Sequence, residues 1–138
     1  MINTTGSLVT AWYNLLNGNV GVDVYKEDAP EKPDDHFVLI RAEGGSSANT
    51  KQSFADETII ITDIVTVFEN NIDRSVAESI DNTICGLILP TRQSGLTNPS
   101  SVQIQNVKRE DFGYLTEEGT KKIYRKISRW AHYVHQTV

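Results

Sequence analysis

The side chains able to do chemistry are few in this sequence, and they mostly stand apart. His132 and His135 form a His-x-x-His pair, and His36 is the remaining histidine. A structural zinc site takes four protein ligands and a catalytic one three. No His-Glu-x-x-His pattern occurs, and the single cysteine, Cys85, rules out a Cys-based zinc set and an internal disulfide. The histidines are therefore expected to be exposed, not metal-bound. Cys85 lies in the apolar run Ile84-Cys85-Gly86-Leu87-Ile88-Leu89, where a thiol behaves as a small buried hydrophobe. Gly44 to Lys51 has some of the residue types of a phosphate-cradling loop. It lacks the second glycine before the lysine, and a strand follows where a helix is required. No Gly-x-Ser-x-Gly elbow is present to support a hydrolase nucleophile.

Among the carboxylates, Asp34-Asp35 and Glu117-Glu118 sit in polar stretches and read as solvated. Asp63 differs, because Ile61 and Val65 flank it on the same face of a predicted strand. Burial could raise its pKa and make it a lone catalytic acid. Buried charges are normally paired, so a cross-strand or intersubunit partner is the stronger expectation, with Arg41 and Lys122 as candidates. Tyr124, Arg125, Lys126, Arg129, Trp130, His132 and Tyr133 interleave aromatic and basic character, as a single-stranded nucleic-acid strip would. The plainer reading puts the aromatics in the core and the charges in water.

The elements that position these groups follow from periodicity and punctuation. Leu8, Val9, Trp12, Leu15 and Leu16 recur at helical spacing before Gly18, predicting a helix over 7–17, with Thr5 or Ser7 as its cap. Val20, Val22 and Val24 alternate as a short strand, and the acidic segment with Pro30 and Pro33 reads as a surface loop. Phe37 to Ile40 is strand-like, and the polar residues 44–57 predict an extended loop or hairpin tip. Thr58 to Glu69 could span roughly 40 Å at about 3.3 Å per residue. Its two faces, Ile59-Ile61-Asp63-Val65-Val67 and Ile60-Thr62-Ile64-Thr66-Phe68, are both largely apolar. A strand with water on one side alternates cleanly between apolar and polar, so both faces here call for cover. One cover is the domain's own helices; the other is tolerance by the threonines or a neighbouring subunit. Asp73 caps a second helix whose stripe is Val76, Ile80, Ile84, Leu87 and Ile88, and Pro90 stops it. Val102, Ile104 and Asn106 alternate as a strand. Residues 121–134 fit a helical stripe by periodicity and a strand by composition, which leaves the element open.

At 138 residues the chain is one domain's length and can bury roughly two-thirds of its unfolded surface without a staple. The order α-β-β-β-α-β-(β) predicts a single α+β domain over 1–138. Its sheet is expected to be mainly antiparallel, of four to five strands, with two helices packed on one face. Met1 to Leu16 holds no Lys or Arg, and no apolar run reaches membrane-spanning length, so a soluble cytosolic chain with no membrane partner is expected. The net charge of −5 disfavours a general nucleic-acid binder. Residues 1–35 carry a net −4 and residues 108–138 a net +3, opposite signs that could steer one copy against the next.

The segment order is the most specific feature. A helix ending at Asn17-Gly18 leads to a valine-rich strand and an acidic loop closing in Asp34-Asp35-His36-Phe37-Val38-Leu39-Ile40. The polar excursion, the long strand Thr58 to Phe68, the helix Asp73 to Leu89 and an alternating basic and apolar C-terminal region follow. In this order the chain resembles the tail-completion, or tail-terminator, proteins of tailed bacteriophages over nearly its whole length. The resemblance implies an α+β fold, a homo-oligomeric ring of six copies at the head–tail junction, and no catalytic residues or cofactor. It also implies a strand at 121–134. Gly113 to Gly119 departs from the family's look. The implied partners are the tail tube and the neck or connector proteins, with genomic DNA passing through the lumen unread; the implied location is the virion, assembled in the host cytoplasm. Asp63, Arg41, Lys51, Phe54, Lys122 and Arg125 are the candidate subunit-interface residues.

Three functions are thus in view. The expected one is a structural virion protein of a head–tail joining or tail-completing ring, with a neck stopper or connector ring as its near alternative. A small enzyme would use Asp63, His36 or His132. A nucleic-acid-binding module would use Lys122 to Trp130.

Overall fold

The computed structural model describes residues 5–28, 35–43, 55–91, 93–99 and 102–136. The chain order is α1 (Thr5–Leu16), β1 (Asp23–Lys26), β2 (Phe37–Glu43), β3 (Ala55–Phe68), α2 (Arg74–Ile88), β4 (Val102–Glu118) and β5 (Lys122–Gln136). Among the described residues the strands form one sheet in the order β1-β2-β3-β5-β4. The fold is α+β, as expected. The predicted tip at 44–57 lies mostly outside the described residues; its last residues, from Ala55, belong to β3.

Helix α1 buries Leu8, Val9, Trp12 and Leu16, the spacing that draws one helical face onto a sheet. Gly18 follows at φ 81°, a left-handed conformation that glycine adopts without steric cost. Helix α2 opens on Asp73, whose carboxylate accepts from the Ser75 N–H at 3.0 Å. Its buried face is Ala77, Ile80, Asp81, Ile84 and Ile88. Beyond Pro90 the loop folds back, and the Gly95 N–H donates to the Ile88 carbonyl at 2.7 Å. A Cβ at Gly95 would stand 2.0 Å from the Leu87 carbonyl oxygen, so only glycine allows that approach.

Both helices pack on the same face of the sheet. Their apolar residues join Val24, Val38, Ile40, Ile60, Ile64, Tyr124, Trp130 and Val134 in one core. Burial of this continuous apolar layer is the main force holding helices to sheet.

Three expectations need correcting. The sheet is mixed: β1 runs parallel to β2, pairing Val24 with Val38, while the other three pairings among the described residues are antiparallel. Residues 27–36 separate β1 from β2, far more than the two residues of a tight antiparallel hairpin. β1 also begins later than the valine alternation suggests, because Gly18 and Gly21 both hold positive φ and keep 17–22 in turns. Finally, the strand expected at Val102 to Asn106 runs on for 17 residues to Glu118. It is an edge strand, so one border faces water and its polar residues are tolerated. Register shifts between Ile104 and Asn106 and between Arg109 and Asp111 mark bulges along it. Residues 122–136 are strand, as the resemblance implied.

Candidate interaction face of the sheet

Strand alternation decides which side chains meet. From β3, Ile60, Thr62, Ile64 and Thr66 point to the helices; Ile59, Ile61, Asp63, Val65 and Val67 point to the opposite, helix-free face. β5 divides likewise. Tyr124, Lys126, Ser128, Trp130, His132 and Val134 are buried beneath the helices. Ile123, Arg125, Ile127, Arg129 and Tyr133 stand on the open face. The aromatic and basic strip of the sequence is therefore split between two sides of one sheet.

On the open face Phe37, Leu39 and Val65 form a small buried cluster, with Tyr25, Val67 and Ile123 against it. Tyr25 and Phe37 meet edge to face at 5.7 Å. Beside this cluster Asp63 is fully buried. Its partner is Arg125, neither Arg41 nor Lys122: Nε of Arg125 donates to Oδ1 at 3.2 Å, and a second guanidinium nitrogen donates to Oδ2. The same guanidinium reaches Glu117 at 3.1 Å. This bidentate fork satisfies both carboxylate oxygens. The hydrogen bonds that Arg125 donates to Asp63 raise the Arg125 pKa against the effect of burial. Arg129 donates to Glu43 at 2.9 Å on the same face. Lys122 lies opposite Phe68 at the strand end, while Arg41 lies opposite Ile61. Lys51 and Phe54 fall outside the described residues. Glu117, read as solvated, remains half-exposed but holds Arg125.

Beneath α2 a second polar group ties helix to sheet. Lys126 is buried and donates to Glu78 at 2.7 Å, with Asp81 at 3.2 Å. Burial works against its ammonium, but the Glu78 and Asp81 carboxylates outweigh that and leave its pKa raised. Arg109 reaches Asp81 at 3.1 Å and the Ser128 hydroxyl at 2.8 Å, and its guanidinium lies over the Trp130 ring at 5.5 Å. Cys85 is half-buried, not fully buried as expected, with its Sγ 3.4 Å from Arg109. Burial, with Asp81 adding to it, pushes its thiol pKa up, away from nucleophile or ligand chemistry.

His132 is buried, contrary to expectation. Its Nε2 accepts the Trp12 indole N–H at 2.8 Å, and its Nδ1 lies 3.0 Å from the Thr58 carbonyl. An indole only donates and a carbonyl only accepts, so the ring is the neutral Nδ1–H tautomer. Burial lowers its pKa to about 4. His135 is three residues on along a strand and faces the other way, so the pair cannot chelate one ion. His36 accepts the Val67 N–H through Nδ1 at 3.0 Å and packs on Phe68. Among the described residues no three His, Cys, Asp or Glu side chains converge to hold a metal ion. Sequence reasoning missed Asp81 and Glu78, whose only signal was an acidic pair on a helix facing a lysine-bearing strand.

A groove of about 620 Å³ runs between α1 and the loop 97–99, lined by Ser7, Thr10, Ala11, Asn14, Asn98 and Pro99 among others; none of the described residues lining it is charged. Among the described residues no helix is long and apolar enough to cross a membrane.

No family model and no curated protein matches the sequence. Solved structures do match the fold. A chain of the virion of a native gene transfer agent particle superposes at a TM-score of 0.77, with 13% identity over 98% of this chain and 99% of its own. A second solved chain, 11% identical over 94% of this chain and 96% of its own, gives a TM-score of 0.49. At such identities the first likeness is one of fold: this chain has, from end to end, the architecture of a virion chain.

Proposed function

We propose that this chain is a structural virion protein, without catalysis of its own, that assembles with copies of itself into a ring. The finer reading places the ring at the head–tail junction or tail end, as a tail-completion or tail-terminator protein of six copies. It would contact the tail tube and the neck or connector proteins while DNA passes through the lumen. The observation that carries the proposal is the end-to-end fold match to a chain of a gene transfer agent virion. The sequence's resemblance to tail-completion proteins supports the same reading independently of the coordinates.

The disposition of charge also favours assembly over nucleic-acid recognition. Arg125, Lys126 and Arg129, the centre of the basic segment, are each ion-paired with carboxylates of their own chain. They offer little to phosphates, whose capture would need free cations. The test is negative-stain imaging of the purified chain at increasing concentration, with light scattering to give the mass. Rings of uniform diameter are expected. A chain that stays monomeric while binding single-stranded DNA in a salt-dependent way would replace this reading with the nucleic-acid one.

A further inference from the structure

Strand β4 borders the sheet: β5 pairs along one side of it, and among the described residues no strand pairs along the other. Such an edge is a row of backbone donors and acceptors that another strand can pair with. Bulges between Ile104 and Asn106 and between Arg109 and Asp111 break up its first part. From Asp111 to Glu118 the register with β5 runs without interruption, so this stretch is a regular template. Two exposed apolar side chains stand on it, one on each face of the sheet. Tyr114, opposite Lys126, is 55% exposed on the helix side, and Leu115, opposite Arg125, is 43% exposed on the open face.

The charges along the edge select the strand that fits it. Lys108, Gly113 and Glu117 lie opposite Ala131, Ile127 and Ile123 of β5, so all three belong to the open face. Measured along β5, Lys108 and Glu117 stand at equal distances on either side of Gly113, because the bulge absorbs the extra residue on the Lys108 side. Lys108 is exposed and forms no ion pair among the described residues. Glu117 is half-exposed and offers only Oε1 to Arg125. A second β4 laid antiparallel about Gly113 therefore brings the lysine of each copy to the glutamate of the other, on one face, twice. Opposite charges directly across a strand pair stabilise it. A Cβ at Gly113 would meet nothing within 4 Å, so the open face there has room for Leu115 of both copies.

We infer that β4 pairs antiparallel with β4 of a second copy of this chain, across a two-fold axis at Gly113, with Lys108 of each copy on Glu117 of the other. The contact is the same patch on both sides, so it closes at two copies. It goes beyond the ring reading and does not need it, because a ring requires a different, head-to-tail contact.

The test uses the full chain as wild type, as Lys108→Glu, and as the double variant Lys108→Glu with Glu117→Lys. Light scattering gives the mass over a concentration series below any ring formation, and circular dichroism checks folding. Wild type should reach the mass of two chains, with amide exchange slowed within 111–118 as the dimer forms. Lys108→Glu should raise the dissociation constant about tenfold or more, and the double variant should restore it. Should the double variant fail to fold, Lys108→Glu with Glu117→Gln, which removes the repulsion, should recover part of the loss. A wild-type chain that passes from monomer straight to ring, or a Lys108→Glu chain that dimerises like wild type, would overturn the inference and leave the ring reading standing. A dimer that never forms rings at any concentration would support this inference and count against the ring.

Discussion

Acidification should loosen the attachment of α1 to the sheet through one residue, His132. Its Nε2 can accept the Trp12 N–H only while the ring is neutral, since a protonated imidazole has two donors and the indole cannot accept. The folded-state pKa is about 4 against an ordinary 6.5. As pH falls below 6.5 the unfolded chain takes up a proton that the folded chain refuses, so stability declines, and the decline ends near pH 4. Linkage gives a loss of about 2 kcal/mol at pH 5 and about 3 kcal/mol once both states are protonated. Carboxylates titrate over part of this range, so the measurement is a difference. Urea unfolding of wild type and His132→Gln, which keeps a neutral acceptor for Trp12, is compared at pH 7.5 and pH 5. The variant should lose about 2 kcal/mol less than wild type on acidification. Identical losses would refute the assignment of a neutral, doubly bonded His132.

Other outcomes follow from single contacts. Asp63→Ala leaves Arg125 without its buried partner and should cost about 3 kcal/mol in unfolding free energy; a change below the error of urea titration would place Asp63 in water. Gly95→Ala forces a Cβ onto the Leu87 carbonyl, so the melting temperature should fall by several degrees, with a destabilisation of about 2 kcal/mol. Cys85, half-buried with a raised pKa, should react with iodoacetamide at pH 7.5 far more slowly in the folded chain than in urea; equal rates would contradict its packing beside Arg109.

The helices were legible because each carries its own punctuation. Gly18 ends one, while Asp73 and Pro90 bound the other, and their apolar stripes select the buried residues. Strand β3 was legible as a strand with two faces needing cover. The structure assigns one cover to α1 and α2. The other face is partly closed by its own Arg125–Asp63 and Arg129–Glu43 pairs. Residues 121–134 misled periodicity because Ile123, Ile127 and Ala131 face away from the helices while Trp130 and Val134 face them. Apolar residues on both sides of a strand mimic a helical stripe. The length of β4 was hidden because an edge strand admits Lys108, Glu110 and Glu117, which read as loop. Asp63 was recognised as a buried acid needing a cation, but the pleat selects Arg125, two residues along β5 from its register partner Ile127, over the candidates named from sequence. Pairing register is a tertiary property that spacing along one segment does not encode.

The most direct test of the account is imaging the particle itself. The gene for this chain would be expressed with a small tag in its producing particle, and cryo-electron microscopy would locate the tag and resolve the protein. A closed ring of copies at the head–tail junction or tail end is expected. A virion lacking the protein, or one carrying it as isolated copies away from the tail axis, would contradict it.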